Sequence, residues 1–280
     1  MVHLSNGLLL LLSVVKHQSE FDTKVKLPEL ENAIGKIEIA VGVYHDKAKS
    51  KLDRARGLNR AAIVNYQQSI SPVYEWCDLA IGKFNQVLPH IKEKNMTTDD
   101  KDYIWGVTVN TLHDGLNKTL ESLDLLNDVQ NKSYEITNLL ADLLHDLHNE
   151  FGPQGLFGSV NHVLDTTIKN VRNSFHIPFY DIAGEIAGNI EIQKKELHEQ
   201  FLCIKGKIEY ASQIAKTGVN PYLEEDKTNL LVLRGKTKDA DFSNPLLTFD
   251  SPTMRALYIP ILQDLISQCR NYNLWHKLQT

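Results

Sequence analysis

Residues able to do chemistry are sparse in this chain and scattered along it. Cys77, Cys203 and Cys269 are the only thiols, too few for a disulfide scaffold and too dispersed for a structural zinc site. His145 and His148 stand three apart on a helical pattern, a spacing that suits a metal, but nothing completes the ligand set. They read as exposed helix residues. His198-Glu199-Gln200-Phe201 lacks the second histidine of a zinc-protease helix and reads as a solvated face. Gly152, Gly155 and Gly158 follow no strand, so they mark a helix break rather than a phosphate loop. No serine sits in a Gly-x-Ser-x-Gly elbow. The sequence offers no nucleophile with its base, and the expectation is a protein with no enzymatic activity, cofactor or metal.

Composition narrows the remaining classes. The formal charge is −5 and mixed in sign along the 280 residues. Nucleic-acid binding calls for a concentrated basic face, which is missing. A hydrophobic content of 42% is enough for a core, and most of the nine prolines lie outside the periodic stretches. Asn95-Met96-Thr97, Asn117-Lys118-Thr119 and Asn131-Lys132-Ser133 fit the glycosylation pattern, which matters only in a eukaryotic secretory pathway.

Periodicity is helical throughout. From Leu30 to Val87, apolar residues recur three and four apart, with Ile34, Ile37, Val41, Tyr44 and Ala48 forming one stripe. Pro72 removes a backbone donor and is expected to kink this run; Pro89 and Lys92-Glu93-Lys94-Asn95 are expected to end it. Thr97-Thr98-Asp99-Asp100 has the hydroxyls and carboxylates of a helix start. The next helix is strongest over Ile136, Leu139, Leu140, Leu143, Leu144 and Leu147, and it breaks at Gly152-Pro153. A further piece runs through Val160, Val163, Leu164, Ile168 and Val171. Later helices are expected from Glu191 to Lys216 and from Pro252 to Lys277. Two segments of about 50 residues would each extend roughly 75 Å at ~1.5 Å per residue. Helices this long are stabilised chiefly by burying their stripes side by side. The expectation is all-α: one elongated antiparallel helical bundle over residues 1–280, a rod with short connections.

Leu8, Leu9, Leu10, Leu11 and Leu12 form an unbroken run, continued by Ser13, Val14 and Val15. Its length suits the apolar core of a signal peptide spanning residues 1–16. No Lys or Arg precedes it, however, and no small-residue cleavage site follows. Eight helical residues cover only roughly 12 Å, far short of a bilayer. Two readings stay open: a degenerate signal peptide, or an exposed amphipathic first helix.

Val73-Tyr74-Glu75-Trp76-Cys77 and Ile266-Ser267-Gln268-Cys269-Arg270-Asn271-Tyr272 resemble the cytolysin A (haemolysin E) family of α-helical pore-forming toxins. That family carries Tyr-Glu-Trp-Cys on a long helix and Cys-Asn-Glu-Tyr on its C-terminal helix. Tyr44-His45-Asp46-Lys47-Ala48 lines up with the family's Tyr-Ser-Gln-Glu-Ala. Leu112-His113-Asp114-Gly115-Leu116 is similar to its Leu-Asp-Asp-Gly-Val, and Leu147-His148-Asn149-Glu150-Phe151 to its Leu-Thr-Asn-Asp-Phe. Around Gly235-Lys236-Thr237-Lys238 the match is weaker but in order. The resemblance covers about four-fifths of the chain, Tyr44 to His276. Its specificity lies in the collinearity of the motifs.

The resemblance implies a secreted, soluble monomer that rearranges on a target-cell membrane and assembles into a homo-oligomeric pore. It also implies two bilayer-entering elements, an N-terminal helix and an apolar tongue at the head of the rod. Leu8 to Val15 is the candidate inserting end, if retained. The tongue falls at 176–191: Ile177, Pro178, Phe179, Tyr180, Ile182, Ala183, Gly184, Ile186, Ala187, Gly188 and Ile190. It is shorter than the family's, and it carries Asp181 and Glu185, each costing about 3 kcal/mol at bilayer depth. It reads either as a reduced tongue or as an apolar turn between two helices; the spacing Gly184-x-x-x-Gly188 is compatible with close helix packing in lipid. Upstream of Tyr44 the chain is also shorter than the family's. Cys77 and Cys269 match the family's two cysteines, which lie near enough to pair when oxidised; the alternative is two buried thiols acting as small apolar residues. The function expected is that of a pore-forming cytolysin. A non-lytic helical-bundle binding or scaffold protein that kept the fold and lost the tongue is the alternative.

Overall fold

The computed structural model describes residues 2–41, 46–93, 95–151, 190–238 and 251–279. Among them every regular element is a helix: α1 (Val2–Asp22), α2 (Leu27–Val41), α3 (Asp46–Lys92), α4 (Thr98–Phe151), α5 (Ile190–Lys216), α6 (Leu223–Lys238) and α7 (Pro252–Gln279). The chain divides into two compact units. The first comprises Met1–Val25, Asn65–Asp128 and Asn220–Thr280; the second comprises Lys26–Val64 and Val129–Val219.

Helix boundaries follow local chemistry. At the start of α4 the Thr97 hydroxyl accepts the Asp100 backbone N–H at 3.1 Å, while the Asp100 carboxylate accepts the Thr97 backbone N–H at 2.9 Å. Two of the donors that a helix start leaves orphaned are thereby satisfied reciprocally. The Thr97 hydroxyl also donates to the Asp100 carboxylate at 2.6 Å, and this bond, with the one from the Thr97 backbone N–H, holds the Asp100 carboxyl below its ordinary range. α3 runs on through both Pro72 and Pro89 to Lys92. Two missing backbone bonds, well separated in a helix of 47 residues, do not end it, because the turns on either side of each remain bonded and packed. The run read from Leu30 to Val87 is thus carried by two helices, α2 and α3; Tyr44 lies outside the described residues.

In the second unit, α2 packs on α5. Ile34, Ile37 and Val41 of α2 are buried with Ile136, Leu140, Leu143 and Leu147 of α4 and Phe201, Ile204 and Ile208 of α5. These are the stripes marked by periodicity, with Leu139 and Leu144 only partly buried at their flanks. α3 and α4 run antiparallel here: Lys51 meets Asp146 at 2.6 Å, while Arg54, further along α3, meets the earlier residue Glu135 on α4. Asn59, fully buried, donates its amide to the Leu27 carbonyl at 3.1 Å and so ties α3 to the start of α2.

The first unit has its own core, drawn from α1, α3, α4, α6 and α7. α3 and α4 are antiparallel in this unit as well. Glu75 pairs with Lys118 at 3.1 Å, and Asn65 with the later residue Asp128. Among the described residues no helix is long and apolar enough to cross a membrane.

Candidate membrane-active helix and its cradle

The leucine run lies in the middle of α1, a helix of 21 residues. Leu8, Leu11, Val14 and Val15 are fully buried, and Leu4 and Phe21 extend the same stripe. Leu10 and Leu12 are partly buried against the core, while Leu9 is 45% exposed. The expectation of an exposed amphipathic first helix is therefore corrected. Five leucines in a row put apolar side chains around most of a helix's circumference, and several neighbours are needed to cover them. α6 and α7 both pack on α1, and α3 and α4 close the remaining sides.

Two glycines set how closely α1 can approach. A methyl group at Gly7 would sit 3.0 Å from both terminal carbons of Leu112 on α4 and 3.3 Å from Leu233 on α6. At Gly115 on α4 a methyl would sit 2.6 Å from Leu11 and 2.6 Å from the Trp76 ring. No side chain fits there. The cradle for Leu11 exists because Gly115 leaves the space that Leu11 and the indole share.

Trp76 is 2% exposed and donates its indole N–H to the Thr111 carbonyl at 2.9 Å. Next to it, the Cys77 thiol shares a hydrogen bond with Cys269 of α7, and both cysteines are fully buried. Burial, reinforced by the neighbouring thiol, raises the Cys77 pKa well above its ordinary value. Three patches that are far apart in sequence, around Trp76, Gly115 and Cys269, thus meet in one core. Cys203 is exposed, with the Lys207 ammonium donating to its sulfur at 3.1 Å.

The C-terminal end of α1 is fastened differently, by polar contacts that no motif announces. His17 donates from Nδ1 to Asp226 at 2.9 Å and stacks on Tyr222 at 3.9 Å between ring centroids. Gln18 donates to the Ser122 hydroxyl at 2.8 Å, which in turn donates to the Ser69 carbonyl at 2.6 Å. The Asp22 carboxylate accepts the Tyr66 hydroxyl and His276 Nε2, both at 2.9 Å. Tyr272 lies 4.5 Å from the His276 ring. Burial and the Asp22 charge push the Tyr66 and Tyr272 hydroxyls far above their ordinary range. Sequence reading missed these groups because each partner lies a hundred or more residues from its mate or carries no spacing signature; Lys16-His17-Gln18 reads only as the polar end of an apolar run.

Other candidates are placed more simply. His145 and His148 are exposed, and the Asn149 amide bonds His145 at 2.9 Å. Glu199 and Gln200 are exposed while Phe201 is buried, so that face is divided rather than uniformly solvated. Among the described residues no cluster of three metal-ligating side chains occurs. The proposed tongue, Ile177 to Gly188, lies outside the described residues; Ile190 is the first residue of α5.

Comparison with known proteins gives a family and little more. No curated protein matches the chain. A solved structure titled as a computationally designed three-helix bundle aligns over 95% of this chain and 99% of its own, at 13% identity and a TM-score of 0.28, values too low to carry an argument. The family model for haemolysin E (HlyE) matches residues 9–190, taking in most of the leucine run, the Trp76 and Gly115 patches and the sequence from Ile177 to Ile190. With that match across more than half its length, the chain belongs to the haemolysin E family.

Proposed function

We propose that this protein is a pore-forming cytolysin: secreted, monomeric in solution, and assembling on target-cell membranes into a homo-oligomeric pore. The observation that carries this reading is the state of α1. An unusually apolar helix is folded away among four others, with Leu8, Leu11, Val14 and Val15 out of contact with water. Those side chains bury comparably well in hydrocarbon, so a bilayer offers α1 an alternative partner. Each buried leucine or valine moved from the core to lipid keeps most of the ~1.5–3 kcal/mol it would lose in water. Leu8 to Val15 would form the inserting end. The segment Ile177 to Ile190 would act as a reduced tongue, entering the headgroup layer or inserting once Asp181 and Glu185 are neutralised. Cys77 and Cys269 would act as a redox staple between α3 and α7, opposing rearrangement of the first unit when oxidised.

Liposomes loaded with a self-quenched dye test the reading, together with size measurement of the protein after detergent treatment. Leakage accompanied by a shift from monomer to one large discrete species is expected. Leakage at no pH or redox condition, with helical content intact, would favour the non-lytic bundle instead.

A further inference from the structure

We propose that the two histidine–carboxylate pairs at the C-terminal end of α1, His17 with Asp226 and His276 with Asp22, form a latch that keeps α1 docked. The restraint itself rests on the geometry of the first unit; its bearing on membrane action rests on the function proposed above.

The two ends of α1 are held by different forces. From Leu4 to Val15 the contacts are mainly apolar and non-directional, with Ser5 also bonded to Tyr258 of α7, and the apolar ones survive a small displacement or exchange for another apolar partner. From His17 onward directional contacts join the apolar packing of Phe21. Asp226 is 3% exposed and sits in the first turn of α6, where the helix dipole favours its charge. His17 is its cross-helix hydrogen-bond donor, and Ser13 on the same face of α1 lies 3.4 Å from the other ring nitrogen. Asp22, 9% exposed, takes donors from α3 and from α7 at once. One pair therefore fastens α1 to α6 and the other fastens it to α7 and α3. Neither carboxylate belongs to the helix that supplies its histidine.

This arrangement makes release of α1 a cooperative step. While α1 is docked, each carboxylate is buried and bonded; once α1 leaves, both carboxylates and both imidazoles meet water. Removing a histidine alone leaves a buried carboxylate short of a donor, and undocking α1 returns that carboxylate to water. The loss is thus directed at α1 and not at the unit as a whole. The opposite polarity of the pairs, one acid on α1 and one on its partner, also fixes the register of α1 in its cradle, because a shift of one turn breaks both.

The experiment uses the full chain with Cys203→Ser, and Val14→Cys as a reporter on the buried face of α1. Leu123→Cys on α4, fully buried in the same core, is the control. Maleimide labelling of each reporter is followed with wild-type histidines, with His17→Ala plus His276→Ala, and with His17→Gln plus His276→Gln, which keeps a donor at each site. The alanine pair should raise labelling at residue 14 by about tenfold or more, the scale expected for a buried charge stripped of its partner, and leave residue 123 unchanged. The glutamine pair should restore most of the slow rate. Labelling that rises equally at both reporters, or at neither, overturns the latch. Dye release from liposomes separates the two proposals: faster labelling at residue 14 without leakage from any variant upholds the latch and counts against the cytolysin.

Discussion

Trp76 and Gly115 fix the spacing of α3 and α4 in the first unit: the indole ring occupies the place where a β-carbon at position 115 would stand. The indole N–H then reaches the Thr111 carbonyl, one turn before Gly115 on α4. Leu11 of α1 fills the other side of the same gap.

Gly115→Ala should therefore destabilise the protein even though alanine is the better helix former. The methyl group meets an aromatic ring and a buried leucine, neither of which has open space to move into. Overpacking of this kind costs about 1–3 kcal/mol, against up to ~1 kcal/mol gained in helix propensity. Urea denaturation should show a lower midpoint. A midpoint equal to or above that of the parent would mean the ring can shift at no cost.

Thiol chemistry should separate the three cysteines. Cys203 is exposed, while Cys77 and Cys269 are buried and the Cys77 thiol is held protonated by burial and by its neighbour. Thiolate is the reactive form. Reduced native protein should thus label at Cys203 alone, and all three cysteines should label after denaturation. Mild oxidation followed by non-reducing peptide mapping should link Cys77 to Cys269. A bridge closing nearly 200 residues is worth up to about 4–5 kcal/mol in the chain-entropy treatment, so the thermal midpoint should rise on oxidation. A Cys203-linked dimer as the sole product would dismiss the staple.

Asp226 should give the stability curve an unusual slope. Burial raises its pKa above the ordinary carboxylate value, and the His17 hydrogen bond opposes that shift without cancelling it. A carboxyl that holds its proton more tightly when folded contributes stability that grows as pH falls through its folded pKa. Asp226→Asn mimics the protonated form. Relative to the wild type, its stability should improve as pH rises from about 3 through the carboxylate range and then level off. Urea midpoints across that range provide the check; a relative loss with rising pH would show that the His17 bond outweighs burial.

The helix start at Thr97 gives a simpler test. Thr97→Ala removes the hydroxyl that accepts the Asp100 backbone N–H. Loss of such a cap costs about 1 kcal/mol. The effect should be seen as faster amide exchange in the first turn of α4, with little change at its far end. Uniform change along the helix would mean the cap does not act locally.

Much of this molecule is legible from residue order alone. The α4 stripe from Ile136 to Leu147 and the hydroxyl and acidic residues opening α4 are local signals. Each depends on neighbours within a few positions, so sequence specifies them directly. Family membership is legible for a related reason: collinear short motifs survive where overall identity does not. α6 escaped notice because only Leu223, Leu230 and Leu233 face its core, and its charged opening Glu224-Glu225-Asp226 resembles a loop.

Tertiary structure decided the rest. Whether the leucine run is exposed or enclosed depends on which helices surround it, and no periodicity within α1 encodes that. Why position 115 excludes a side chain becomes clear only when Trp76 and Leu11 arrive beside it from other helices. The partners of His17 and Asp22 lie 209 and 254 residues away, brought together by the packing of α6 and α7 on α1. Sequence determines what each segment can bury; the fold determines what it is buried against, because packing is settled by all the helices of a unit at once.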